Sequence, residues 1–135
     1  MSKFCLIIVF ICFTAIVAHS QTSSSSATSG KELYTQYCLA CHQEDGAGVP
    51  NLNPPLIQTS YVMGDKKKLI TWVLKGSGDE KVPIDGNYYN NNMPSQVALK
   101  DDEIAKILTY VRSHFGNKAS AISATEVKAV RATVK

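Results

Sequence analysis

Apolar residues fall into three regimes along this chain. Phe4 to Ala18 (FCLIIVFICFTAIVA) is a nearly unbroken apolar run of 15 residues. Gln21 to Ser29 (QTSSSSATS) holds nothing apolar larger than Ala and no charge. From Gly30 onward apolar and polar positions alternate at helical spacing, interrupted by polar stretches. Lys31 to Tyr37 reads as a short helix. Leu69, Ile70, Val73 and Leu74 share one face of a helix that Asp65 caps and Gly76 and Gly78 end, at about Lys75. Ile104, Ile107, Leu108, Val111 and Phe115 give the strongest helical pattern, over Asp101 to Phe115, with three acidic residues at the start where the helix dipole favours them. A last short helix is expected from Glu126 to Val134, capped by Thr125. Gln43 to Ser60 carries two Gly, three Pro and three Asn or Asp, and Glu80 to Asn92 is similarly polar, so both read as loops. No alternating strand pattern appears. The expected class is all-α, with short helices and long loops.

The first regime has the layout of an export signal. Lys3 supplies a positive start, and Ala18 and Ser20 place small residues where a signal peptidase reads. As a helix the apolar run spans about 22 Å, short of the roughly 30 Å of bilayer hydrocarbon. Cleavage after Ser20 is therefore expected, with an uncleaved membrane tether as the alternative, and the exported chain would lie in the periplasm. Residues 21–29 then form a flexible linker with a span of about 15–18 Å. The folded domain is expected over residues 30–117, followed by a tail, 118–135, with its own short helix.

Charge narrows the partners. Residues 21–135 carry 13 Lys or Arg against 11 Asp or Glu, too thin a surplus for nucleic-acid binding. Residues 30–117 are close to neutral, with 9 basic against 10 acidic residues, and the tail is the basic part, with Lys118, Lys128, Arg131 and Lys135 against Glu126. A single near-neutral domain fits a monomer. About 87 residues in short helices and long loops bury little apolar surface, so something other than side chains is expected at the centre.

Cys38-Leu39-Ala40-Cys41-His42 supplies that something. C-x-x-C-H is the attachment sequence for a c-type haem. Two thiols one helical turn apart can each add to one vinyl group of a porphyrin, and the next residue offers its imidazole to the iron. A thioredoxin-like redox pair belongs at a strand-to-helix junction, and here the motif follows a helix instead. A zinc site needs four ligands, and the remaining candidate, His114, leaves His42 badly placed beside Cys41. A disulfide across two residues would staple almost nothing. Cys38, Cys41 and His42 are thus the expected cofactor-binding residues, with His42 on the metal, and the expected cofactor is one covalent haem c.

With that motif in place, residues 30–116 resemble the class I c-type cytochromes, the small monohaem cytochromes c. Gly30-x-x-x-Tyr34-x-x-x-Cys38 is similar to the family's N-terminal helix. The resemblance implies that Gly30 lets this helix cross the C-terminal one closely, at Ile107 and Tyr110. Asn53-Pro54-Pro55-Leu56 resembles the loop whose carbonyl accepts the proximal imidazole's Nδ1–H, which points to Pro54, with Pro50-Asn51-Leu52 as a rival. It also implies a cytochrome c-like fold wrapped around the haem. Lys100 stands where many relatives place a Ser or Thr cap, so Asp101 is expected to cap that helix.

Two methionines remain for the far side of the iron. Met63, beside Gly64, reads as core filler. Met93 sits in a polar loop (Asn90-Asn91-Asn92-Met93-Pro94) where a thioether has no packing reason to be, and Met93-Pro94 matches the family's distal dipeptide, so Met93 is the expected second axial ligand. His114 is expected at the surface. An iron held by both His42 and Met93 keeps no open position, which suits a one-electron carrier and not an enzyme. Expected partners are redox proteins: a dehydrogenase as donor and an oxidase or other terminal acceptor. A fixed electron-transfer subunit of such a complex has the same chemistry and stays open. A haem peroxidase of the dihaem kind would show a second C-x-x-C-H, and this sequence has one.

Overall fold

The computed structural model describes residues 28–79, 81 and 83–134. The expected signal segment, 1–20, and most of the Ser-rich linker lie outside the described residues. Six helices occur among those described: α1 (Gly30–Tyr37), α2 (Leu39–His42), α3 (Ser60–Met63), α4 (Lys66–Lys75), α5 (Asp101–Ser113) and α6 (Ala124–Arg131). The only extended pairings among them are two isolated bridges, Val49 with Asn53 and Ile84 with Asn87. The architecture is all-α.

Local chemistry sets the helix starts. Ser29 caps α1: its Oγ accepts from Glu32 N–H, and the Glu32 carboxylate accepts from Ser29 N–H at 2.7 Å. Ser29 is therefore an ordered cap, where the sequence placed it in the flexible lead. Asp65 caps α4 through Lys68 N–H at 2.7 Å, as its side chain suggested. At α5 the cap position belongs to Lys100 and not to Asp101. Lysine has no acceptor to offer, and the Glu103 carboxylate instead takes the Lys100 N–H at 2.8 Å. The last helix begins earlier than expected, because Ser123 outcompetes Thr125. Its Oγ accepts from Glu126 N–H while Glu126 accepts from Ser123 N–H. The turn α3 was missed; only Thr59 before Ser60-Tyr61-Val62-Met63 marks it, with its Oγ accepting from Val62 N–H.

α5 is the centre of the fold. α1 crosses it, and α6 packs against both α5 and α4. Ile70, Ile104 and Val127 are completely buried, so one residue from each of α4, α5 and α6 meets in the core. The α1–α5 crossing depends on Gly30. A methyl group there would run into the carbonyl of Lys106 and lie 3.0 Å from Tyr110 Cβ. Tyr110 is the partner the resemblance implies, and the Lys106 backbone, beside Ile107, makes the nearest approach. Beneath the crossing, Tyr34 packs on Tyr110 and Phe115 with ring centroids 5.5 and 5.4 Å apart. No helix among the described residues is long and apolar enough to cross a membrane.

Candidate functional site

One cleft, open to solvent, is lined by Cys38, Cys41 and His42 and also by Met93. Its sides are apolar: Leu56, Leu69, Val73, Ile84, Leu99 and Ile104 all line it. Tyr61 and Trp72, also lining it, meet edge to face at 5.7 Å.

The Cys38–His42 segment is shaped by a break between α1 and α2. Cys38 ends α1 by donating its N–H to Tyr34 O and begins α2 by accepting from His42 N–H at 3.0 Å. Tyr34 reaches across that break and donates its hydroxyl to Gln43 O at 2.6 Å, tying the end of α2 back to α1. Burial of that ring pushes the Tyr34 phenol well above its usual range, so it stays a donor. The two cysteines are not joined to each other. Burial, and then the neighbouring Cys41, pushes the Cys38 thiol up to about 11, so it is protonated at neutral pH.

His42 has its ring fixed. Nδ1 lies 2.9 Å from Pro54 O. A carbonyl only accepts, so Nδ1 carries the proton and the Nε2 lone pair is left for another partner. Burial lowers the imidazole's pKa, against a smaller upward pull from the Pro54 bond, which keeps the ring neutral and able to bind a metal. Of the two proline segments the sequence offered, Pro54 is the one that faces His42. Gly48 makes this possible: its φ is +69°, and a Cβ there would come within 2.6 Å of the same Pro54 oxygen. Gly48 N–H also donates to His42 O at 3.1 Å. In the sequence Gly48 is one loop glycine among others, marked only by the alternation Gly46-Ala47-Gly48.

Met93 is held by its backbone. Ser77 Oγ accepts from Met93 N–H at 2.8 Å, and Ser77 N–H donates to Met93 O at 3.0 Å. Gly76, with φ +71°, brings α4's end against this strap; a side chain there would collide with the Met93 carbonyl and lie 2.7 Å from Ser95 N. The asparagines before Met93 tie its loop to the loop that follows α2. Asn90 and Asn91 N–H donate to Asn51 and Leu52 O at 2.9 and 3.0 Å, and Asn91 Nδ2 donates to Asn53 Oδ1 at 3.1 Å. Lys81 adds Nζ donation to Asn90 O at 2.5 Å. The polar run thus closes a loop around the cleft mouth.

Of the remaining candidates, Met63 ends α3 and does not line the cleft, and His114 is exposed at the end of α5, its ring 4.0 Å from that of Tyr110. The donor set at the cleft is two thiols, one imidazole with a free Nε2 and one thioether between apolar walls. That set fits a flat, apolar, iron-bearing macrocycle.

Comparison with known proteins points the same way. The family described as Cytochrome c matches residues 27–115. The chain is 33% identical over 112 residues to cytochrome c-552 of Thermus thermophilus, covering 76% of this chain and 84% of that relative. It is 34% identical over 128 residues to the cytochrome subunit of fructose dehydrogenase from Gluconobacter japonicus, covering 85% of this chain and 25% of the relative. A cytochrome c subunit of quinone-dependent alcohol dehydrogenase from Gluconobacter oxydans is 31% identical over 113 residues, with 78% of this chain and 22% of the relative covered. The chain spans about a quarter of the length of these two dehydrogenase subunits.

Proposed function

This chain belongs to the cytochrome c family, and from that premise we propose that it is a one-electron carrier whose haem c is attached through Cys38 and Cys41 and held between His42 and Met93. Haem c, when bound, supplies one iron that alternates between the ferrous and ferric states. The protein's part is to hold its ligands still. Pro54 fixes the rotation of the His42 ring and makes its Nε2 a better donor. The paired Ser77 bonds hold the Met93 backbone at the cleft, where its thioether would take the place of an exchangeable ligand when the haem is bound. A thioether ligand raises the reduction potential, and a site with both ends filled changes charge with little rearrangement. That blocked position is why we assign carriage and not catalysis. The observation that carries this reading is the meeting of Cys38, Cys41, His42 and Met93 in one apolar cleft with Nδ1 of His42 already committed.

The donor we propose is a periplasmic or membrane-bound dehydrogenase and the acceptor an oxidase or other terminal acceptor, met in the periplasm after export directed by residues 1–20. A second reading, a fixed subunit, is favoured by the likeness to dehydrogenase cytochrome subunits. Co-purification of a dehydrogenase at native expression supports the subunit; recovery of the cytochrome alone supports the carrier. The ligand assignment is tested on haem-loaded protein. Met93→Ala is expected to abolish the near-infrared sulfur–iron charge-transfer band of the ferric form and let the ferrous form bind carbon monoxide. Met63→Leu is expected to leave both unchanged. The reverse pattern would move the ligand to Met63.

A further inference from the structure

The helix α6 lies beyond the cleft-forming part of the chain, yet one of its side chains reaches back to the strap that carries Met93. Arg131, in the last turn of α6, donates Nε to Asp101 Oδ1 at 2.7 Å, Nη1 to Val97 O at 2.7 Å and Nη2 to Leu99 O at 2.6 Å. All three acceptors lie within five residues, where the strap runs into α5. The N-terminal end of the same strap has its own fastenings on α4 and the turn just after it: Met93 on Ser77, Ser95 Oγ donating to Leu74 O at 2.5 Å, and Gln96 N–H donating to Val73 O at 3.0 Å. Leu99, between the Arg131 acceptors, is buried and lines the cleft. The strap is thus pinned at one end by α4 and at the other by α6.

We propose that Arg131 is a positioning residue for Met93, and that α6 serves as a tether limiting how often the Met93 thioether swings away from the cleft. This rests on the reading of Met93 as the distal ligand. A planar guanidinium suits the task because it presents donors in a fixed fork, and here it spans two carbonyls and a carboxylate at once. Lysine carries its three donors on one nitrogen and cannot reproduce a fork that reaches these acceptors from three separate nitrogens. The tether has its own foundation: Val127 and Val130 of α6 are buried in the core, and Lys66 of α4 pairs with Glu126 of α6 at 3.0 Å. Release of Arg131 would leave the Met93 end fastened but free the Val97–Leu99 end to move, so the chain would open without unfolding.

The test is imidazole binding to the ferric, haem-loaded, full-length protein, followed in the visible spectrum, because imidazole enters only when the distal position opens. Arg131→Gln is expected to raise imidazole affinity by about tenfold, which is about 1.4 kcal/mol off the closed state. Arg131→Lys is expected to fall between Arg131→Gln and the native protein. Lys106→Gln, which breaks the Lys106–Asp102 pair on α5 without touching Arg131 or its acceptors, is expected to stay within about twofold of native. An unchanged affinity in Arg131→Gln overturns the proposal. So does an equal rise in Gly30→Ala, whose strain lies at the far α1–α5 crossing, since the effect would then be general loosening. Met93→Ala separates the two readings. If it leaves imidazole affinity unchanged, the ligand assignment fails and the tether with it; if it raises affinity while Arg131→Gln does not, the tether alone fails.

Discussion

Asn117 offers the sharpest test of how the His42 side of the cleft is held. It follows α5 and is 3% exposed, and its carboxamide bonds three backbone groups from two parts of the chain. Oδ1 accepts from Gln58 N–H at 2.7 Å, and Nδ2 donates to Leu56 O at 2.9 Å and Val111 O at 2.7 Å. Asn117→Ala removes all three at once. A buried group left without its partner costs about 1–3 kcal/mol. Gln58 N and Leu56 O lie near enough to solvent for water to replace part of the loss, whereas Val111 O is buried. Taking about 1 kcal/mol for each of the first two and somewhat more for the third gives about 3 kcal/mol. Denaturant unfolding of the haem-loaded protein, followed by far-UV circular dichroism and by the Soret band, measures this directly. For a domain of this size that loss lowers the melting midpoint by about 12 °C or more. Asn117→Asp is expected to be worse, since it keeps the acceptor but turns a carboxylate toward the carbonyls of Leu56 and Val111. A loss below about 1 kcal/mol in Asn117→Ala would refute the reasoning, because water would then satisfy all three groups unaided.

Other outcomes follow from the same geometry. Gly30→Ala is expected to cost about 1–3 kcal/mol by forcing α1 away from the Lys106 carbonyl, read as a lower denaturant midpoint with an unchanged visible spectrum. Acid should release α6 early. The Glu126 carboxyl is drawn down to about 2, first by the Ser123 N–H and then by Lys66. Its contribution is therefore fully present above its ordinary pKa near 4.5 and is lost as pH falls through about 2, so amide exchange in α6 should accelerate in that window, before that in α5. Electron-transfer rates with a physiological partner are expected to fall by less than about tenfold between low and physiological salt, because residues 30–117 carry 9 basic and 10 acidic side chains and steer little. A steeper dependence would assign the steering to the basic tail.

Much of this protein was legible because its information is local. The C-x-x-C-H run states its chemistry in five residues, whatever fold surrounds it. Met93 stands out as a thioether in a polar loop, and it lines the cleft where Met63 does not. The helices over α4 and α5 follow from apolar spacing, and Asp65 marks its own cap. Where two local signals competed, the sequence misled at the margins. Ser123 and Thr125 both resemble caps, and the choice falls to Ser123 because Glu126 stands three residues on and closes the reciprocal pair. The acidic run at Asp101 looked like a cap, but the helix begins one residue earlier, with Glu103 reaching back to a lysine's backbone.

What the sequence by itself determined is thus which side chains to look for, two thiols, an imidazole and a thioether, and all four line one cleft. Only the tertiary structure decided how those side chains are held, because each restraint joins residues far apart along the chain. Pro54 meets His42 twelve residues away only because Gly48 takes a left-handed conformation and lets the loop close. Asn117 spans about sixty residues to hold that loop, and Arg131 spans more than thirty to hold the strap of Met93. An asparagine after a helix or an arginine in a basic tail has many surface uses, and its partner is a backbone group that every residue possesses. Nothing in the order of side chains names which carbonyl will come within reach; packing of α1, α4 and α6 on α5 does.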